Sequence, residues 1–424
     1  MTRERLQNLI KTLGPGILFA STAIGVSHLV QSTKAGALFG FALVPFVIAA
    51  NIFKYPFFEF GSRYANATGE SIIDGYKRLG NWALWLYFII TIGSMFFVSA
   101  AVGAVTAGFM ENLFGLGAYH MTTTIVLFIG SGAILILGKY GVLDSLVKVI
   151  GAVLLFSTLL AFVLALIQGP EIPISETRAP DVWSDSSVLF IIALMGWMPT
   201  AVDLSAWNSL WTVERIKQTG YRPTLKETLV DFNFGYIVSA VLSICFLTLG
   251  AYMLFGTGTE LEKSAAGFSS QVVGMFTNFI GDWSYVIIAA ASFSIMFGTC
   301  IAVFDGYGRG LSRTWALLRS NEVGEKVESS SSVYARGIGV VVVGAFLIVY
   351  FLSEKLSVLV NVATTISFII APVVAVINYR LVTGNLVKKE YHPKLWLRIL
   401  SWGGIVFLTG FAGYYLYILI PTII

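Results

Sequence analysis

Charge is scarce in this 424-residue chain. Asp, Glu, Lys and Arg together make up 12% of it, where an ordinary soluble domain is about a quarter charged. That shortage excludes a large hydrated surface. Cysteine is scarcer: only Cys245 and Cys300 occur, both inside apolar runs. They cannot build a disulfide framework or a cysteine-ligated metal cluster, and they read as small core residues. The polar connections hold no nucleophile–base pair, zinc motif or phosphate loop, and none is long enough to fold alone, so an enzyme is not expected. No filter-like glycine run or ring of charges suggests a channel. The net charge of +4 calls for no nucleic acid, and no cofactor is expected.

What the chain has instead is apolar length. Hydrophobic residues make up 56% of it, and runs near 20 residues recur from end to end, which is the length that crosses a bilayer. The reading is an all-α membrane protein with eleven spans, near 13–34, 40–64, 82–112, 121–138, 145–168, 187–211, 229–256, 282–308, 335–352, 357–380 and 396–418. The first run is too long for a cleavable leader and is followed by further spans. Basic residues set the sidedness. With the N-terminus inside, only Lys34, Arg178, Lys263 and Lys355 of the 27 Lys and Arg residues fall on outer segments, and Lys54 falls within a span. The expectation is a multi-pass protein of the cell's inner membrane, embedded as a monomer in the lipid bilayer, with the N-terminus cytoplasmic and the C-terminus outside.

Two of the spans interrupt themselves. In span one the middle reads Gly25-Val26-Ser27-His28, and in span six it reads Gly196-Trp197-Met198-Pro199-Thr200. Glycine weakens a helix, and proline removes one of its hydrogen bonds. Unwound backbone at mid-membrane persists only where protein buries it or a wet cavity receives it. Breaks at matching positions of two five-span halves point to an inverted-repeat secondary transporter with its cargo site at the crossing. The division expected is repeat one at 12–168, repeat two at 187–382 and one extra helix at 395–419. The cargo is a small molecule or an ion, with H+ or Na+ as a coupling ion.

Several residues invite chemistry. His28 lies in the first break, where an imidazole could bind cargo or a proton; a neighbouring carbonyl could equally satisfy it. Half-helix N-termini offer free amides and positive dipole ends, so Gly25 and Ser27 could cradle a carboxylate, with Phe19 and Trp197 giving apolar contact. Lys54 and Glu59 are ionisable groups inside span two, which are costly and usually paired. Lys54 is expected to be buried with an acidic partner such as Asp203 or Asp231, or to stand in for a coupling cation. Lys54, Glu59, Asp203, Asp231 and Asn361 are thus candidates for coupling or gating. Asp231 and Asn233 open span seven and read as caps of that helix; Asp305 reads as structural. Asn361, Thr364 and Thr365 line the pathway or bond between helices. His120 and His392, at loop edges, read as inert.

The run from Gly14-Pro15-Gly16 to Ala35-Gly36-Ala37 resembles the first span of the Nramp metal-ion transporters, without a gap. Ala50-Asn51, Ala67-Thr68-Gly69 and Met198-Pro199 are similar to that family too, as is Leu137-Gly138-Lys139-Tyr140-Gly141 more weakly. The resemblance implies a LeuT-type fold with helices one and six broken. It also implies that cargo meets Gly25, Ser27, His28, Met195, Met198 and Thr200. The family's metal ligands are an Asp and an Asn of span one, a Met of span six and a nearby carbonyl. Those positions hold Gly25, His28, Met198 and Met195 here; Thr200 replaces a His, and the acidic pair of span three falls on Ser99 and Val102. Met and His suit soft or borderline ions, so His28 and Met198 are the candidates for an altered metal site. With no carboxylate at the crossing, weak or absent Mn2+ and Fe2+ transport is expected; an altered metal transporter and a transport-inactive sensor or scaffold are the alternatives.

Overall fold

The computed structural model describes residues 11–138, 140–173, 177, 180–324, 327, 330–352 and 356–423. Arg178 and Lys355, which enter the basic-residue pattern, lie outside these residues. The described residues form α-helices with short connections and no strand. In chain order they are α1 (Pro15–Ala23), α2 (Thr33–Phe39), α3 (Val44–Thr68), α4 (Ile72–Leu79), α5 (Asn81–Phe114), α6 (His120–Ile136), α7 (Tyr140–Gln168) and α8 (Asp185–Gly196). There follow α9 (Leu204–Thr219), α10 (Leu225–Leu254), α11 (Ala265–Ile280), α12 (Tyr285–Arg319), α13 (Ser331–Leu352), α14 (Leu356–Thr383) and α15 (Leu395–Ile423).

Among the described residues seven helical stretches are long and apolar enough to cross a membrane by themselves: α5, α6, α10, α12, α13, α14 and α15. The eleven expected spans are completed by α3, α7 and two composite helices. Span one is α1 and α2 joined through a wide π-type turn at Ser27–Ser32, and span six is α8 and α9. The composites do not qualify singly because each half is too short to cross. α3 is long enough but carries Lys54, Glu59 and Arg63, all buried. Residues such as Val343 and Phe351 on α13, and Ile399 and Val406 on α15, point outward, as they would toward lipid.

Local signals start and stop the helices. The Thr224 side chain accepts from the Glu227 amide while Glu227 reaches back, a capping box at the start of α10. Gly69, at φ 76°, ends α3 in the left-handed region that a side chain would strain. α1 has no cap of its own, and Asp231 of α10 supplies it. Its carboxylate accepts from the Gly14 amide at 3.2 Å and the Gly16 amide at 2.6 Å. This corrects the expectation that Asp231 caps its own helix: it lies inside α10, two turns past the true cap. Asn233 is no cap either; its side-chain oxygen accepts from the Tyr55 hydroxyl at 2.8 Å.

α1 and α2 both lie along α10. A Cβ on Gly16 would sit 2.0 Å from the Asp231 carbonyl oxygen, and one on Gly36 would sit 1.9 Å from that of Leu247. The two backbones meet at distances only glycine allows. α8 approaches α14 in the same way, since a Cβ on Gly196 would sit 2.0 Å from the Thr364 carbonyl oxygen. Both broken helices are thereby held deep in the bundle.

Candidate functional site

The breaks fall where expected. Helix one leaves α-geometry after Ala23, at Ile24 and Gly25, and helix six is unwound from Trp197 to Asp203, across a cis Met198–Pro199 bond. Each interruption strands backbone carbonyls that a continuous helix would have paired, and buried carbonyls need donors.

At helix one the donor comes from α12. The Thr299 hydroxyl donates to the Ser21 carbonyl at 2.8 Å, and a Cβ on Gly25 would press 2.8 Å from the Thr299 methyl. Gly25 is therefore where the turn and α12 approach each other. His28 is fully buried and faces α10. Its Nε2 donates to the Ser239 carbonyl at 2.8 Å, and its Nδ1 lies 2.7 Å from Ser27 Oγ, which itself donates to the Ala23 carbonyl at 2.6 Å. Each ring nitrogen thus faces a protein oxygen.

At helix six the donor is Lys54 of α3. Its ammonium donates to the carbonyls of Thr200 at 2.6 Å, Met195 at 3.0 Å and Gly196 at 3.0 Å. Lys54 has no exposed surface. An ammonium has three donors, and these three acceptors use them all. The expected acidic partner is not in contact: among the described residues no carboxylate forms an ion pair with Lys54. Asp203, one of the expected partners, stands three residues past the Thr200 acceptor. Asp203 is itself buried, and its Oδ1 has no hydrogen-bond partner. Glu59 pairs instead with Arg63, one turn on, at 2.5 Å.

Between the two breaks lies a small cavity of about 20 Å3, lined by buried residues that include Ser27, Val102, Trp197, Thr200 and Thr299. It has room for about one water. Of the expected cargo residues, Ser27 and Thr200 reach it. Gly25, His28, Met195 and Met198 are not in its lining; His28 turns to α10, Met195 spends its carbonyl on Lys54, and the Met198 sulfur lies 4.0 Å from Ser32 Oγ. The expectation that His28 and Met198 share one cavity is thus corrected. Phe19 is also elsewhere, stacked on Tyr236 and edge-on to Phe58. Thr299 is the site residue that sequence reasoning missed. Asp305 pairs with Arg309 at 2.7 Å. Asn361 accepts from Gln31 at 3.3 Å, and Trp197 donates to Ser367 at 2.8 Å, so α14 bonds to both broken helices. His120 is not free at the surface; it contacts the buried Glu111 at 2.7 Å.

A second cavity, about 400 Å3, opens on the face that carries Arg215 and Arg309 and reaches Leu18 and Ala302. Thr22, one turn further along α1, already lines the small cavity between the breaks. One turn, about 6 Å, separates them.

Two helices broken at equivalent positions, with a small buried cavity between the breaks, define a secondary transporter of the LeuT type. The chain belongs to the Nramp family. Residues 16–418 match the family described as natural resistance-associated macrophage protein-like. The chain is 34% identical over 409 residues to an uncharacterised protein of Pasteurella multocida, covering 94% of this chain and 90% of that one. It is 22% identical over 329 residues to the divalent metal cation transporter MntH of Latilactobacillus sakei, covering 73% and 70%. A mutant manganese transporter of Eremococcus coleocola has the same fold, with a TM-score of 0.67 at 15% identity over 97% of this chain and 87% of that one. The fold and family expected from the sequence are those found, and the cargo is a metal ion or a small solute crossing a membrane.

Proposed function

We propose that this transporter carries a small organic solute with an anionic group, such as a carboxylate, and not a divalent metal. One observation carries the reading: the Lys54 ammonium is bonded to the Met195 carbonyl, the group that the family resemblance assigns to the metal. A dication placed about 4 Å from that ammonium would be repelled by about 8 kcal/mol at an effective dielectric of 20. No carboxylate of span one offsets this, since Gly25 and His28 stand at those positions. Among the described residues no group of three His, Cys, Asp or Glu could hold a metal. An anion meets the opposite field: a nearby fixed positive charge and the amide ends of two half-helices.

The division into repeats at 12–168 and 187–382 with an extra helix at 395–419 belongs to this reading, as does an inner-membrane location with a cytoplasmic N-terminus. On this reading the face that carries Arg215 and Arg309 is cytoplasmic, and one turn of α1 lies between the cavity there and the small cavity at the breaks. Alternating access would open that turn and later the opposite side.

Uptake into proteoliposomes tests the proposal. A screen of small carboxylates and amino acids is expected to yield saturable uptake of at least one, with Mn2+ entry no faster than into empty liposomes. Saturable Mn2+ uptake would overturn it, and binding of a carboxylate without any transport would make the protein a sensor.

A further inference from the structure

We propose that Lys54 is a cation built into the transport machinery, which fills a carbonyl cage at the helix-six break so that no free alkali cation binds there. This rests on the transporter reading and concerns what accompanies the cargo.

A helix that ends in the middle of a membrane leaves an electronegative mouth, because its last carbonyls lose their partners and the dipole ends there. Such mouths, together with unwound carbonyls, coordinate alkali ions in broken-helix transporters. In this chain the mouth is made by the Met195 and Gly196 carbonyls at the end of α8 and the Thr200 carbonyl from the unwound stretch. Asp203 lies beyond, buried, with an unpartnered Oδ1. That is a cation site in its chemistry: three convergent oxygens, with a buried carboxylate three residues past the last of them in the chain. The occupant is a side chain of α3 with no exposed surface. Its contacts of 2.6 to 3.0 Å are those of full charge-assisted hydrogen bonds.

The placement argues against a merely structural lysine. Burying an ammonium costs several kcal/mol, whereas a serine or threonine hydroxyl would suffice to satisfy a stray carbonyl, as Thr299 does at helix one. A charge is retained where three carbonyls converge. The consequence is functional: a cation that cannot leave contributes no gradient energy, so cargo movement should not depend on Na+ or K+ at this position.

The full chain, purified in detergent, is melted at constant ionic strength in choline, sodium, potassium, ammonium or methylammonium chloride. The wild type is expected to melt within about 1 °C in all of them. Lys54→Ala empties the cage: it should melt lower in choline and recover about 2 °C or more, saturably, in ammonium, methylammonium or potassium. Lys54→Met fills the space without charge and should melt lower with no recovery. A saturable rise of the wild type in sodium or potassium overturns the proposal, as does a folded Lys54→Ala protein that responds to no cation. If Lys54→Ala cannot be recovered, the wild-type series and the sodium independence of wild-type carboxylate uptake decide. Sodium-dependent carboxylate uptake would sink this inference and leave the cargo reading standing; Mn2+ uptake with salt-independent melting would do the reverse.

Discussion

The two broken helices pose the same physical problem and solve it differently. At helix one the backbone carbonyls of Ser21 and Ala23 meet neutral hydroxyls, Thr299 from α12 and Ser27 from the next turn, while His28 bridges to the Ser239 carbonyl of α10. At helix six the carbonyls meet a single full charge, Lys54. Helix one is tied at both ends to one straight neighbour, through Asp231 and through the close approach of Gly36 to Leu247. The first half of helix six rests on α14 at Gly196, and α3 holds its break. Pseudosymmetry therefore fixes where backbone is left unpaired, without fixing which chemistry pairs it. Neutral pairing leaves no fixed charge on the helix-one break; charged pairing puts one against the helix-six break.

Substitutions sharpen this contrast, and the largest effect belongs to helix six. Lys54→Met leaves the buried Gly196 and Thr200 carbonyls without a donor and that of Met195 with a backbone amide, Met198 at 3.3 Å, and should cost about 3–5 kcal/mol, read as the largest fall in melting temperature of the set and as uptake reduced at least about 100-fold. His28→Ala removes the bridge to Ser239 and should cost about 2 kcal/mol. Full stability with abolished transport would instead put the imidazole on the cargo. Asp231→Asn keeps the shape of the α1 cap but loses its charge, for about 1 kcal/mol. Thr299→Val removes one hydroxyl from the helix-one break, with a cost near 1 kcal/mol or less by thermal melting. A Thr299→Val variant less stable than Lys54→Met would reverse the comparison.

Much of this was legible from the residues. Gly25 and Pro199 announce their breaks because glycine and proline act on their own helix, and that information is local. Lys54 was legible as a buried charge because nothing else explains an ammonium in an apolar run. Its partner was not. The acceptors are backbone carbonyls, which every residue carries, so no side chain marks them. Asp231 misled because closeness to a helix start suggests a cap for that helix; the Thr224-x-x-Glu227 spacing was the signal that the position was already filled. His28 and Met198 stand at the expected register, but their orientation depends on Ser239 and Ser32, which position along a helix does not reveal. Thr299 looks like any other hydroxyl in a membrane helix.

The reach of the Lys54 contacts along the chain has a consequence for biogenesis. The acceptors lie 141 to 146 residues after the lysine, and a ribosome adding about 5–20 residues per second needs about 7–30 s to make them. During that interval span two waits with an ammonium that its own helix cannot satisfy, while Glu59 and Arg63 on the same helix already satisfy each other. The nascent chain must keep this span near water, lipid headgroups or the insertion machinery until span six arrives. The residue that closes the finished fold is thus the one that keeps the unfinished fold open, and truncations ending before residue 200 should expose it to the membrane's quality control.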